Sequence, residues 1–200
     1  MSHKRVAADE RKKQIALVAA SLFAKKGFNG VTTREIAKKA KVNEAIIFRF
    51  FPNKEKLYTE IINQKVKIAP EMFNFDAVKS GNDEDLFKSV AANMLKQIKE
   101  DNTFLRIMLY SALEGHDLSD AFLRSRNRVL FDFLDGYISK RKGEGIFQDI
   151  DSRIPIRAFI GMFVHFSIVR ELFNVPDFLY VSDEDAINHF VNIFLNWLKR

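Results

Sequence analysis

A chain of 200 residues with 47% hydrophobic and 29% charged residues is long enough to bury a substantial core. It has no cysteine, which excludes disulfides, thiolate metal sites and a cysteine nucleophile. Residues 1–56 hold 14 Lys and Arg against 5 Asp and Glu, and residues 57–200 hold 18 against 21, so the net charge of +6 sits in the first quarter. Phosphate neutralisation requires such an asymmetry, which predicts nucleic-acid binding that weakens steeply with salt.

Taken in order, the first strong signal is Ile15, Val18, Ala19, Leu22 and Phe23, one face of an amphipathic helix. Gly27 stands where a left-handed cap belongs, and Phe28 is placed to fold back on the last turn. Thr32 and Glu35 form a capping box that opens a second, short helix with Ile36, Ala37 and Ala40 inward. Lys41 and Val42 make a turn. Asn43 caps a third helix with Ile46, Ile47 and Phe50 inward, and Pro52 ends it. Glu44, Ala45, Phe48 and Arg49 are left outward. Two helices joined this way are a helix-turn-helix, able to set the second in a DNA major groove. Asn53 caps a fourth helix; Lys54 in its first turn opposes the helix dipole, which a DNA phosphate nearby would explain.

Further helices are expected at Asn53–Val66, Asp83–Lys99, Asn102–Glu114, Leu118–Lys142, Ser152–Phe173 and Ser182–Lys199, about nine in all. Gly81-Asn82, Gly115, Gly143 with Gly145, and Asn174–Pro176 punctuate them, and no alternating run suggests a sheet. The fold class is therefore all-α: a three-helix domain at 1–53 and a helical domain at 54–200. No apolar stretch reaches membrane-spanning length, and MSHKRVAADERKK lacks the apolar core of a secretory signal, so a cytoplasmic protein is expected.

Ile156, Phe159, Ile160, Phe163, Phe166 and Ile168 leave the 152–173 helix apolar around most of its circumference. Ile187, Phe190, Val191, Phe194, Trp197 and Leu198 give the 182–199 helix a broad apolar face, with Asp183, Glu184 and Asp185 at its start and Lys199 and Arg200 at its end. These helices are the candidate homodimer interface, against the simpler account of single-chain core. Fifteen of the 20 phenylalanines follow residue 57 and, with Met94, Met108 and Met162, could line an apolar cavity. Phe104, Met108, Phe131, Phe163 and His165 are the candidate ligand contacts; Phe73 and Phe133 belong to the same stock. His3, His116, His165 and His189 have no metal-ligand spacing, no nucleophile elbow or phosphate loop is present, and neither an enzyme nor a cofactor is expected.

The stretch GFNGVTTREIAKKAKVNEAIIFRFFPNKEKLY resembles the N-terminal domain of the TetR family of bacterial transcriptional regulators. It has that family's order of Gly-aromatic, Thr-x-x-x-Ile-Ala, turn, recognition helix, Phe and Lys-Glu-x-Leu. The resemblance implies an all-helical homodimer on a palindromic double-stranded operator, most often a repressor, released by a small effector in a separate C-terminal domain. Position by position, it implies that Thr33 and Arg34 lie near phosphates and that Asn43, Glu44, Ala45, Phe48, Arg49 and Phe50 face the groove or its walls. It places Lys54 on a phosphate. Lys41 stands for a common turn glycine, Glu44 for a frequent lysine and Phe48 for a common tyrosine. Glu44 repels phosphate but is able to accept from cytosine N4. A constitutive, sequence-tolerant DNA binder without effector is the alternative; an aromatic C-terminal part of some 140 residues is more than groove binding alone requires.

Overall fold

The computed structural model describes residues 3–65, 74–115, 118–173, 177 and 180–199, with side chains over 8–63, 74–115, 129–173, 177 and 180–199. The expected helix end at Val66, Phe73, the turn residues His116 and Asp117, the break at 174–176 and Arg200 lie outside them. Among the described residues there are ten α-helices and no strand. The addition to the expected set is the six-residue α5, Phe75–Ser80, started by Asn74 Oδ1 accepting from the Ala77 amide and stopped at Gly81 with φ 69°. No described helix is long and apolar enough to cross a membrane.

The chain forms two compact units. The first joins residues 1–67 to 103–125 and the second joins 68–102 to 126–200, so the sequence boundary expected at 53/54 falls inside the first unit. That unit contains α1 (His3–Lys26), α2 (Thr33–Lys39), α3 (Glu44–Phe50), α4 (Lys54–Lys65), α7 (Thr103–Leu113) and the start of α8 (Leu118–Gly143). α1 is its spine, packed against α2, α4 and α7. Ile15, Ala19, Leu22, Phe23, Ile36, Ile47, Leu57 and Tyr58 are buried together with Ile107 from α7. Phe28 does fold back: its ring stacks 5.7 Å from Phe23, and both meet Tyr58 edge-on at 5.1 and 5.0 Å. Burial pushes the Tyr58 hydroxyl up to about 12.

The second unit contains α5, α6 (Asp83–Glu100), the rest of α8, α9 (Arg153–Leu172) and α10 (Asp183–Leu198). Phe87 of α6 is its centre, with the rings of Phe194, Phe159 and Tyr137 at 4.8, 5.1 and 6.1 Å. Ser182 caps α10 by accepting from the Asp185 amide at 3.0 Å. Ser152 does not cap α9; its hydroxyl turns to the Asp135 carboxylate. Pro155 fits the first turn of α9, where its missing N–H would have no partner in the helix.

Candidate nucleic-acid interface

Each joint of the helix-turn-helix is fixed by an identifiable bond. Thr32 Oγ1 accepts from the Glu35 amide at 3.1 Å and opens α2. The second half of the expected capping box is replaced, because the Glu35 carboxylate pairs with Lys26 Nζ at 2.7 Å. At the turn, Val42 N–H donates to Ala37 O at 3.0 Å and Lys41 N–H to Lys38 O at 3.3 Å, a Schellman closure with Lys41 in the left-handed position at φ 56°. Asn43 Oδ1 then accepts from the Ile46 amide at 3.0 Å and starts α3. Ile47 is buried beneath it, and Phe51 seals its end.

Side chains of the predicted site divide into two groups. Arg34, Asn43, Ala45, Phe48 and Arg49 are exposed, and Phe48 stands 46% exposed, which for a phenylalanine leaves a face without a protein partner. Arg49 covers the Phe50 ring at 5.1 Å, and Phe50 packs half-buried on the core, so Phe50 supports the face more than it belongs to it. Thr33 and Glu44 are half-buried and bonded to each other, Thr33 Oγ1 donating to Glu44 Oε1 at 2.7 Å. Lys54 departs from the expected exposed position. Its ammonium donates to Phe28 O and Val31 O, both at 3.0 Å, and lies 4.1 Å from the Phe28 ring centre. The cation at the start of α4 thus satisfies carbonyls of the loop that leads into α2. Asn53 Oδ1 accepts from the Lys56 amide at 2.8 Å and caps α4 as expected.

Sequence reasoning missed the clamp that α7 places on that same loop. Arg106 Nε donates to Ala24 O at 2.8 Å and Tyr110 Oη to Lys25 O at 3.1 Å, so both serve carbonyls at the end of α1. The Phe28 and Asn29 amides donate to the two oxygens of Glu114 at 3.0 and 3.2 Å. Gly27 has φ 74°, and a Cβ there would lie 2.2 Å from Glu114 Oε1. The glycine is required both for its backbone and for the carboxylate that passes over it. Nothing in the sequence signals contacts made across some 85 residues.

The candidate ligand contacts do not gather within one unit. Phe104 and Met108 pack on the first unit's core, while Phe131 packs on and Phe163 is buried in the second unit's core. Phe163 has rings at 5.1 and 5.7 Å and is core. His165 is exposed, contrary to its expected place among apolar side chains. The outer side of α9 and α10 also exposes Ile154, Ile193 and Trp197, with Ala158, Gly161, Asn192 and Asn196 between them.

A compact basic head that projects a short helix with an aromatic and a guanidinium outward defines a helix-turn-helix DNA-binding protein. Residues 15–61 match the family model described as bacterial regulatory proteins, tetR family. An uncharacterized HTH-type transcriptional regulator of Bacillus subtilis (strain 168), YvkB, is 27% identical over 76% of this chain and 81% of its own length. The HTH-type transcriptional regulator QacR of Staphylococcus aureus (strain Mu50) is 25% identical over 94% of this chain and 98% of its own. Among solved structures, AibR in complex with isovaleryl coenzyme A and operator DNA shares the fold with a TM-score of 0.70 at 22% identity, over 92% of this chain and 97% of that one. Residues 15–61 are thus a DNA-binding domain of the TetR type, and that family and these relatives are transcriptional regulators rather than enzymes.

Proposed function

We propose that this regulator is a repressor that binds a palindromic operator as a homodimer and leaves it when a small apolar or aromatic effector binds the C-terminal helices. The observation that carries the reading is the solvent-facing side of α3, where Phe48 and Arg49 stand outward on a head of net charge +9. Phe48 suits a thymine methyl or a sugar, and Arg49 a guanine edge or a phosphate. The Asn43 amide nitrogen is left to donate, since its oxygen is used in the cap. Arg34 and the third N–H of Lys54 serve backbone phosphates. The pairing surface is on α9 and α10, where Ile154, Ile193 and Trp197 are exposed beside the small residues Ala158 and Gly161, with Arg157 exposed among them.

The test is selection of bound duplexes from a random pool at several salt concentrations. The expected result is a two-fold symmetric consensus with affinity falling steeply in salt. Recovery without a consensus would overturn the operator reading, and a single unrepeated half-site would overturn the dimer. Lys54→Met keeps an unbranched side chain and removes the charge that lies over the Phe28 ring. It is expected to cost the head about 1 kcal/mol, and to lower the slope of log affinity against log salt by about 1.

A further inference from the structure

The structure assigns Thr33 and Glu44 to a single base-reading pair, in which Thr33 positions the Glu44 carboxylate to accept from the exocyclic amino group of a cytosine. This rests on the proposed operator reading and gives it a chemical preference. Thr33 has one O–H, and that hydrogen is donated to Glu44 Oε1 at 2.7 Å. It cannot also be given to a phosphate, so the family-implied phosphate role of this hydroxyl is replaced by a positioning one. Glu44 is half-buried, and its other carboxylate oxygen has no hydrogen-bond partner among the described residues.

The rest of the outward face narrows what Glu44 meets. Asn43 turns its oxygen to the Ile46 amide in the cap, which leaves its N–H donors as the groups it presents outward. Ala45 has no polar atom, Phe48 offers a ring, and Arg49 only donates. Glu44 is the one carboxylate among these side chains, and one of its oxygens is bonded to no described residue. In the major groove the amino donors are cytosine N4 and adenine N6. Adenine sets its N7 lone pair beside the amino group, which repels a carboxylate and suits an amide instead; cytosine sets only a C–H there. Held away from rotamer exchange by the Thr33 bond, the free oxygen meets cytosine without first losing the freedom of a long side chain.

The experiment is duplex selection with the full chain as wild type, Glu44→Gln, Thr33→Val and Thr33→Ser, with helicity of each checked by circular dichroism. Wild type is expected to require cytosine at one position of each half-site by about tenfold over other bases. Glu44→Gln moves that position to adenine and leaves the others unchanged. Thr33→Val reduces the preference for cytosine at that position alone, and Thr33→Ser, which restores the hydroxyl, recovers it. A wild-type consensus unchanged in Glu44→Gln overturns the pair while leaving the operator reading intact. Absence of any wild-type consensus overturns both. Equal behaviour of the valine and serine variants overturns the role of Thr33, and Thr33→Val decides the matter independently should Glu44→Gln not fold.

Discussion

The two units use charge in opposite ways. In the first, long side chains are directed at main-chain groups: Lys54 and Arg106 donate to carbonyls and Glu114 accepts from two amides, all between residues 24 and 31. In the second, one buried carboxylate collects side chains. Asp83 accepts from Tyr137 Oη at 2.8 Å and from Arg141 Nε and Nη2 at 2.8 and 3.0 Å, with Lys199 Nζ at 3.7 Å. A main-chain group freed near the surface can take water instead. A buried carboxylate stripped of its guanidinium cannot. The first arrangement sets the course of a loop, and the second joins the N-terminus of α6 to the ends of α8 and α10.

Breaking the second arrangement should have the largest effect. Arg141→Met preserves the stem and strands Asp83, which is only 4% exposed, with a phenol and a distant ammonium. The cost expected is about 3 kcal/mol. Trp197 is the chain's single tryptophan and lies in this unit, so its fluorescence during denaturant unfolding reports that unit directly. A midpoint unchanged by the substitution would show that Lys199 already neutralises Asp83. In the first unit, Glu114→Ala should cost less, about 1–2 kcal/mol, because the Asn29 amide is exposed and only Phe28 N–H is partly buried. Hydrogen exchange at residues 27–31 is the measurement, and protection there should fall while Trp197 is unaffected. Gly27→Ala sharpens the point. In the native background its Cβ meets Glu114 Oε1 at 2.2 Å and Tyr110 Cδ1 at 3.0 Å; in Glu114→Ala the first clash is gone while the Tyr110 contact and the cost of φ 74° remain, so the two changes should be less than additive.

How much of this was legible in the sequence follows from the range of each interaction. Caps at Thr32, Asn43 and Asn53 act over three residues, and all three appear where the residue types placed them. The inward faces of α1, α2 and α3 follow from helical period and are buried or packed on the core as expected. α5 was missed because six residues carry too little periodicity, although Asn74 and Gly81 frame it. The outward face of α3 was legible as a list of residues, but its chemistry was not. That Thr33 serves Glu44, and that Lys54 serves Phe28 and Val31, depends on where α2 and α4 are set, which no local signal encodes. The same limit governs the ligand candidates: Phe104 and Phe163 share a composition, yet packing sends them to different cores.

The smallest expected effect lies at the turn between α2 and α3, where Lys41 occupies a left-handed conformation at φ 56° that glycine adopts without steric cost. Both closing bonds of the motif are made, so the strain is local to one residue. Lys41→Gly relieves about 1 kcal/mol of strain and returns part of it through a freer unfolded chain, for a net gain of about 0.5 kcal/mol in the head. Lys41 is exposed two residues before the cap-to-helix start of α3, so its charge adds to the field a DNA phosphate would meet there. The same variant should therefore bind duplex more weakly, with the salt slope reduced by about 1. A stabilised head whose salt slope is unchanged would mean that lysine is merely tolerated at the turn, and that the positive field of the head is supplied by residues other than this one.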